Sequence, residues 1–204
     1  MIIGCLKEVK DNENRVALTP QGAQKLVKLG HKVYIERQAG WGSGYRDDDY
    51  EKVGCVLRDS PYVIVDRADL IVKVKEPVPS EYYWLELLKG KALFTYLHLS
   101  GVAKSLTDEL LKNQITGIAY ETVQKNGRLP LLAPMSQVAG VFAVQEGGHY
   151  LKKKHGGVGI TLGHVDGADH ALTVIVGGGF VGKTAALTAG GMGGKVVLLD
   201  INPK

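Results

Sequence analysis

Cysteine is nearly absent: Cys5 and Cys55 are the only two in 204 residues. Each lies in or beside an apolar run, the pattern of a buried reduced thiol, which argues against a metal site. Long hydrophobic runs are missing as well. No stretch approaches the roughly 20 apolar residues that a membrane-spanning helix needs. Lys7 and Glu8 interrupt the N-terminal apolar run, so no secretory leader is read there and the expected location is the cytoplasm. Charge of one sign is scarce, with 25 basic against 21 acidic residues and a net charge of +4. The one basic cluster, Lys152-Lys153-Lys154-His155, is expected at a helix end, where cations suit the dipole. Without interleaved aromatics or a recognition motif, a nucleic-acid partner is disfavoured. There is no internal repeat and no low-complexity tract. What remains is an ordinary globular composition, 45% hydrophobic and 23% charged, long enough for one to one and a half domains.

Short β-rich runs alternate with helical ones, which predicts an α/β fold with a mainly parallel sheet covered by helices. Strands are expected at Ile2–Leu6, Lys32–Glu36, Asp69–Val74, Ala92–Leu97 and Ile115–Tyr120. Thr19-Pro20 opens a helix as N-cap and first helical residue, and Gly30 closes it. Ser80–Leu88 and Ser105–Lys112 are expected to be helical, as is an acidic start at Asp47-Asp48-Asp49. A long helix follows from Pro134 through the lysine cluster. The expected organisation is a Rossmann-like substrate domain over 1–133, a long connecting helix and linker over 134–170, and the first half of a dinucleotide-binding Rossmann domain over 171–204.

That last segment carries the most specific pattern. A strand (Thr173–Val176) runs into Gly177-x-Gly179-x-x-Gly182, then a helix from about Phe180, then a second strand (Val196–Leu199) ending on Asp200. In such a unit the first glycine makes the tight turn, the second admits a pyrophosphate, and the third lets helix and strand close up. The helix N-terminus offers unpaired N–H groups to the phosphates. A carboxylate at the end of the second strand accepts from the ribose hydroxyls and disfavours a 2′-phosphate, so NAD is preferred over NADP. Gly177-x-x-x-x-Gly182-Lys183-Thr184 also spells a P-loop, which leaves an NTPase as the weaker alternative.

Open α/β sheets bind ligands beyond the carboxyl ends of their strands. Arg15 follows the first strand, Lys75 leaves the strand ending in KVKEP, and His98 leaves the strand in FTYLHLS. Arginine offers a fork to a carboxylate, lysine a point charge to a carbonyl, and histidine a proton donor or acceptor near neutral pH. Together they suit a small α-keto or α-amino acid. Each alone also has a structural reading: a surface charge, a solvated strand end, a hydrogen-bonded core histidine. The other histidines (His31, His149, His155, His164, His170) lack metal-ligand spacing.

Six blocks carry a family resemblance: MIIGCLKEVKDNENRVALTP, GSGYRDDDYEKVG, ADLIVKVKEP, LFTYLHL, GIAYETVQKNGRLPLLAPMS and GGGFVGKTAAL…MGGKVVLLDINP. Through them the chain resembles the bacterial NAD-dependent alanine dehydrogenases over essentially its whole length. It resembles the related transhydrogenase NAD-binding subunit less well. The resemblance implies oxidative deamination of L-alanine to pyruvate and ammonium, with hydride passing to NAD⁺. By motif match, Arg15 and Lys75 would hold the substrate, and His98 would be the general acid/base. Ser136 and the backbone at Phe180 and Val181 would face the pyrophosphate, with Asp200 on the adenosine ribose. Family members are hexameric and longer, which also implies a piece or a split subunit as the alternative to a complete enzyme. Three departures stand out. His98 lies two residues further from Lys75 than is usual, Gln137 and Val141 replace an acid and an arginine after Ser136, and the connector GHVDGADHA differs from the usual type.

Overall fold

A computed structural model describes residues 1–202 and divides the chain into two compact units, Met1–Val123 and the residues from Gln124 on. The first unit alternates strands and helices as their composition dictates. In order they are β1 (Ile2–Cys5), α1 (Pro20–Lys28), β2 (Lys32–Glu36), α2 (Asp47–Glu51), β3 (Val56–Arg58), α3 (Pro61–Arg67) and β4 (Leu70–Lys75). A 3-10 helix (Pro79–Leu88), β5 (Ala92–Tyr96), α4 (Lys104–Lys112) and β6 (Thr116–Ala119) complete it. All strand pairs are parallel, in the order β3-β2-β1-β4-β5-β6. The order reverses between β1 and β4, which makes that crevice the topological switch point of a doubly wound sheet.

Local chemistry explains the edges of these elements. The Thr19 side chain accepts from the Gly22 N–H at 3.1 Å, and Pro20 fills the first helical position. At the other end of α1, His31 N–H donates to Leu26 and Gly30 N–H to Val27, the paired closure that a left-handed glycine allows. Two apolar clusters cover the sheet. One gathers Leu6, Ile64, Ile71, Trp84, Leu88, Leu93 and Leu106, and the other Ile3, Cys5, Val33, Ile35, Tyr50 and Val72. Burial pushes the Cys5 thiol up to about 12 and the Cys55 thiol up to about 11.

Two features of the first unit depart from the sequence reading, and in the second the helix expected through the lysine cluster stops short of it. β3 and α3 were not anticipated, because three strand residues are too few to show a period. Ser80–Leu88 lies in a 3-10 rather than an α-helix.

The second unit contains α5 (Ala133–Tyr150), β7 (Leu172–Val176), α6 (Phe180–Gly191) and β8 (Lys195–Leu199), with β7 and β8 parallel. Helix α5 ends before the lysine cluster. Gly157 tucks beneath Tyr150 and Leu151, and the N–H groups of Gly157 and Gly159 take the carbonyls of Lys152 and Leu151. Lys153–His155 form a separate 3-10 turn. A small core of Val144, Leu162, Ala185 and Ala189 joins α5 to α6. Among the described residues, no helix is long and apolar enough to cross a membrane.

Candidate functional site

Lys75 ends β4, His98 follows β5 and Arg15 lies in the loop after β1, and these three strands are neighbours in the sheet. The Arg15 guanidinium donates through Nε to Glu13 at 2.7 Å and through a terminal nitrogen to the other Glu13 oxygen at 2.5 Å. That two-point pairing orients the fork and holds the Glu13 carboxyl below its usual range. Both residues, with Lys7, Glu8 and Trp41, border a recess of about 180 Å³.

Lys75 ends β4, half-buried, and stands in register with Tyr96 on β5. Its backbone N–H and that of Val74 both donate to the carboxylate of Glu8, at 3.2 and 2.6 Å. Behind them Lys73 is fully buried, with its ammonium 2.7 Å from Glu81 and 3.5 Å from Glu8. Desolvation pushes the Glu8 carboxyl up, against the opposing pull of Lys73 and of the two amides. This buried network stiffens the exit of β4.

His98 is exposed, two residues beyond β5, with φ 46° in the left-handed region that side chains rarely adopt. Its ring stacks on Tyr96 with centroids 5.7 Å apart and planes 15° from parallel. Tyr120 presses its edge on Tyr96 at 4.9 Å. Burial raises the Tyr96 hydroxyl above its ordinary value, and the nearby Arg15 charge partly offsets this. Tyr96 therefore links all three residues: it stacks on His98, stands in register with Lys75 and feels Arg15. Sequence reasoning missed Tyr96, Glu8, Glu13 and Glu121. Their part is to orient other residues, for which sequence spacing carries no signal.

The glycine fingerprint of the second unit can be checked position by position. Gly177 has φ 103°, a turn that a side chain would strain. A Cβ on Gly182 would run into the carbonyl oxygen of Gly177 and come 3.2 Å from Ile175, so helix and strand meet there at backbone distance. A Cβ on Gly179 would meet nothing within 4 Å, and the φ of −69° there suits any residue. Nothing within the chain requires glycine at 179; an approaching ligand would. No side chain caps α6, which leaves its first-turn N–H groups, those of Phe180 and Val181 among them, facing outward. Ser136, Gly177, Gly179, Phe180, Val181 and Gly182 border one cavity of about 520 Å³, and the Ser136 hydroxyl donates back to the Leu132 carbonyl at 3.3 Å. Asp200 folds back to accept from the N–H groups of Gly178 and Asn202, which hold its carboxyl below the usual aspartate range. An open approach at Gly179, free amides and an ionised acid at the second strand end are the features that suit a dinucleotide.

The P-loop spelling fits this geometry poorly. Helix α6 starts at Phe180, so only Gly177–Gly179 separate strand from helix and no long loop is left to wrap terminal phosphates. Thr184 faces α5, where a Cβ on Gly140 would come 2.8 Å from it.

The first sheet is thus of the doubly wound α/β class, followed by a Gly-x-Gly-x-x-Gly βαβ unit. Residues 4–139 match the family model described as alanine dehydrogenase/PNT, N-terminal domain, and residues 143–204 the corresponding C-terminal domain. The chain belongs to the alanine dehydrogenase/PNT family. An alanine dehydrogenase of Methanococcus maripaludis is 52% identical over 100% of this chain and 54% of its own length. One from Geobacillus stearothermophilus is 48% identical over 99% of this chain and 54% of its own. The chain therefore spans about half the length of the curated relatives it matches. A solved L-alanine dehydrogenase superposes with a TM-score of 0.90 at 46% identity, covering 99% of this chain and 55% of that one. A transhydrogenase from Sinorhizobium meliloti gives 0.82 at 25% identity, covering 100% of this chain and 60% of that one.

Proposed function

We propose that the protein serves as an NAD-dependent amino-acid dehydrogenase that converts L-alanine, water and NAD⁺ into pyruvate, ammonium, NADH and a proton. What supports this reading is the strand order: the loops that carry Arg15, Lys75 and His98 leave the adjacent strands β1, β4 and β5, next to the switch point between β1 and β4. The names of the relatives support the choice of alanine within that class.

In this reading Arg15, oriented by Glu13, holds the substrate carboxylate, and the Lys75 ammonium polarises the carbonyl or imine oxygen or nitrogen. Bound NAD⁺ supplies the hydride acceptor for the Cα hydrogen. His98 takes a proton from the water that adds to the imine carbon. It returns that proton to nitrogen as the carbinolamine expels ammonia. Gly177, Gly179 and Gly182, the Phe180 and Val181 amides and Ser136 would hold the cofactor pyrophosphate, and Asp200 would hold the adenosine ribose. A cytoplasmic location and a homo-oligomeric assembly belong to the same proposal, on the grounds of reduced buried cysteines and family membership.

The test is a spectrophotometric assay of the 204-residue chain with L-alanine and NAD⁺, paired with a fluorescence titration of NADH. His98→Gln is expected to abolish turnover and keep NADH binding. Absence of both turnover and NADH binding in the wild-type chain would overturn the proposal.

A further inference from the structure

We propose that Glu121 is the positioning residue that holds His98 in its working conformation. The inference rests on the reading of His98 given under Proposed function. It starts from a backbone problem. At φ 46°, His98 occupies a region that L-residues avoid because Cβ crowds the following carbonyl. Something outside the residue must select that conformer. Its N–H donates to Glu121 Oε1 at 2.8 Å, a hydrogen bond to a carboxylate and therefore stronger than a neutral one. Its carbonyl accepts from Gly101 N–H at 2.7 Å, closing the turn on the other side.

Glu121 reaches His98 from the short 3-10 turn Tyr120–Thr122 that follows β6, the neighbour of β5. The preceding residue of that turn, Tyr120, sets its ring edge against Tyr96, on which the His98 ring stacks. One turn thus fixes the histidine twice: Glu121 through the backbone and Tyr120 through the ring beneath it. The second Glu121 oxygen is buried and has no hydrogen-bond partner among the described residues. The arrangement repeats at the neighbouring strand exit, where the Glu8 carboxylate takes the N–H groups of Val74 and Lys75. In both places a carboxylate grips the backbone beside a reactive side chain.

The experiment compares wild type, Glu121→Ala and Glu121→Gln in the full 204-residue chain. Pyruvate affinity is measured at saturating NADH, melting temperature alongside, and the His98 amide resonance is followed by NMR. Glu121→Ala is expected to weaken pyruvate about tenfold through misplacement of His98, with the His98 amide moving upfield. Glu121→Gln keeps an oxygen for that amide and is expected to restore affinity to within about twofold. Melting temperatures should stay together. If Glu121→Ala fails to fold, Glu121→Asp replaces it; one methylene too short to reach the amide, it carries the same expected loss. Equal pyruvate affinity in wild type and the alanine variant overturns the inference alone, as does a glutamine variant as weak as alanine. Failure of the wild type to bind NADH overturns the functional reading, and the inference falls with it.

Discussion

Two alanine substitutions in the same fingerprint are expected to fail for different reasons. At Gly182 a methyl group would enter the space of the Gly177 carbonyl oxygen and sit 3.2 Å from Ile175 Cγ2. Backbone cannot rotate away, so α6 must lift from β7, disturbing the contacts of Ala185 and Ala189 in the small core. Overpacking of this kind costs about 1–3 kcal/mol. The better helix propensity of alanine returns up to about 1 kcal/mol. A net loss of about 1 kcal/mol should lower the melting temperature of the second unit by roughly 6 °C, given the sensitivity of a domain of that size. At Gly179 the same methyl group meets nothing within 4 Å, and φ −69° with ψ −166° is open to alanine. Gly179→Ala should therefore change stability by no more than about 0.5 kcal/mol, while weakening NADH at least about tenfold by blocking the approach of the pyrophosphate. Calorimetry and NADH fluorescence titration of both variants separate the two effects. Wild-type stability in Gly182→Ala would refute the steric argument. Wild-type NADH affinity in Gly179→Ala would refute the assignment of the open space to the cofactor.

Lys73→Met should destabilise the first unit by about 3–5 kcal/mol in chemical denaturation, because it strands the buried Glu8 and Glu81 carboxylates. Neutralising both with Glu8→Gln and Glu81→Gln in the same chain should recover most of that loss, and no recovery would contradict the ion-pair account. Asp200 is held below the ordinary aspartate value of 3.8 by the N–H groups of Asn202 and Gly178. A depressed carboxyl pKa stabilises the fold above the unfolded value and is lost as pH falls through the folded one. The stability gap between wild type and Asp200→Asn should accordingly be present at neutral pH and shrink below about pH 4; a gap that widens on acidification contradicts it. Cys5 and Cys55, buried and pushed up to about 12 and about 11, should resist a thiol reagent at neutral pH and react only on unfolding. Rapid labelling of the native chain would show that the packing around them is wrong.

The parts of this fold that were legible in the sequence are those written in local chemistry. Thr19-Pro20 and Gly30 mark the ends of α1 because caps are decided within a few residues. The glycines at 177 and 182 likewise declare a turn and a close packing that the structure contains. Strand order alone sets the exits of β1, β4 and β5 next to one another, the exits from which Arg15, Lys75 and His98 follow. What was not legible depends on distant partners. Nothing local marks Lys73 as fully buried, because Glu8 and Glu81 arrive from other elements to neutralise it. The left-handed backbone of His98 and the grip of Glu121 on it leave no trace in spacing or composition, because 23 positions separate donor from acceptor.

The most direct test of the account is the appearance of NADH at 340 nm when the chain is given L-alanine and NAD⁺, measured for wild type and His98→Gln. The account predicts alanine-dependent NADH from wild type and none from His98→Gln, which still binds NADH. Equal rates from the two proteins, or a wild type that neither forms nor binds NADH, would contradict it.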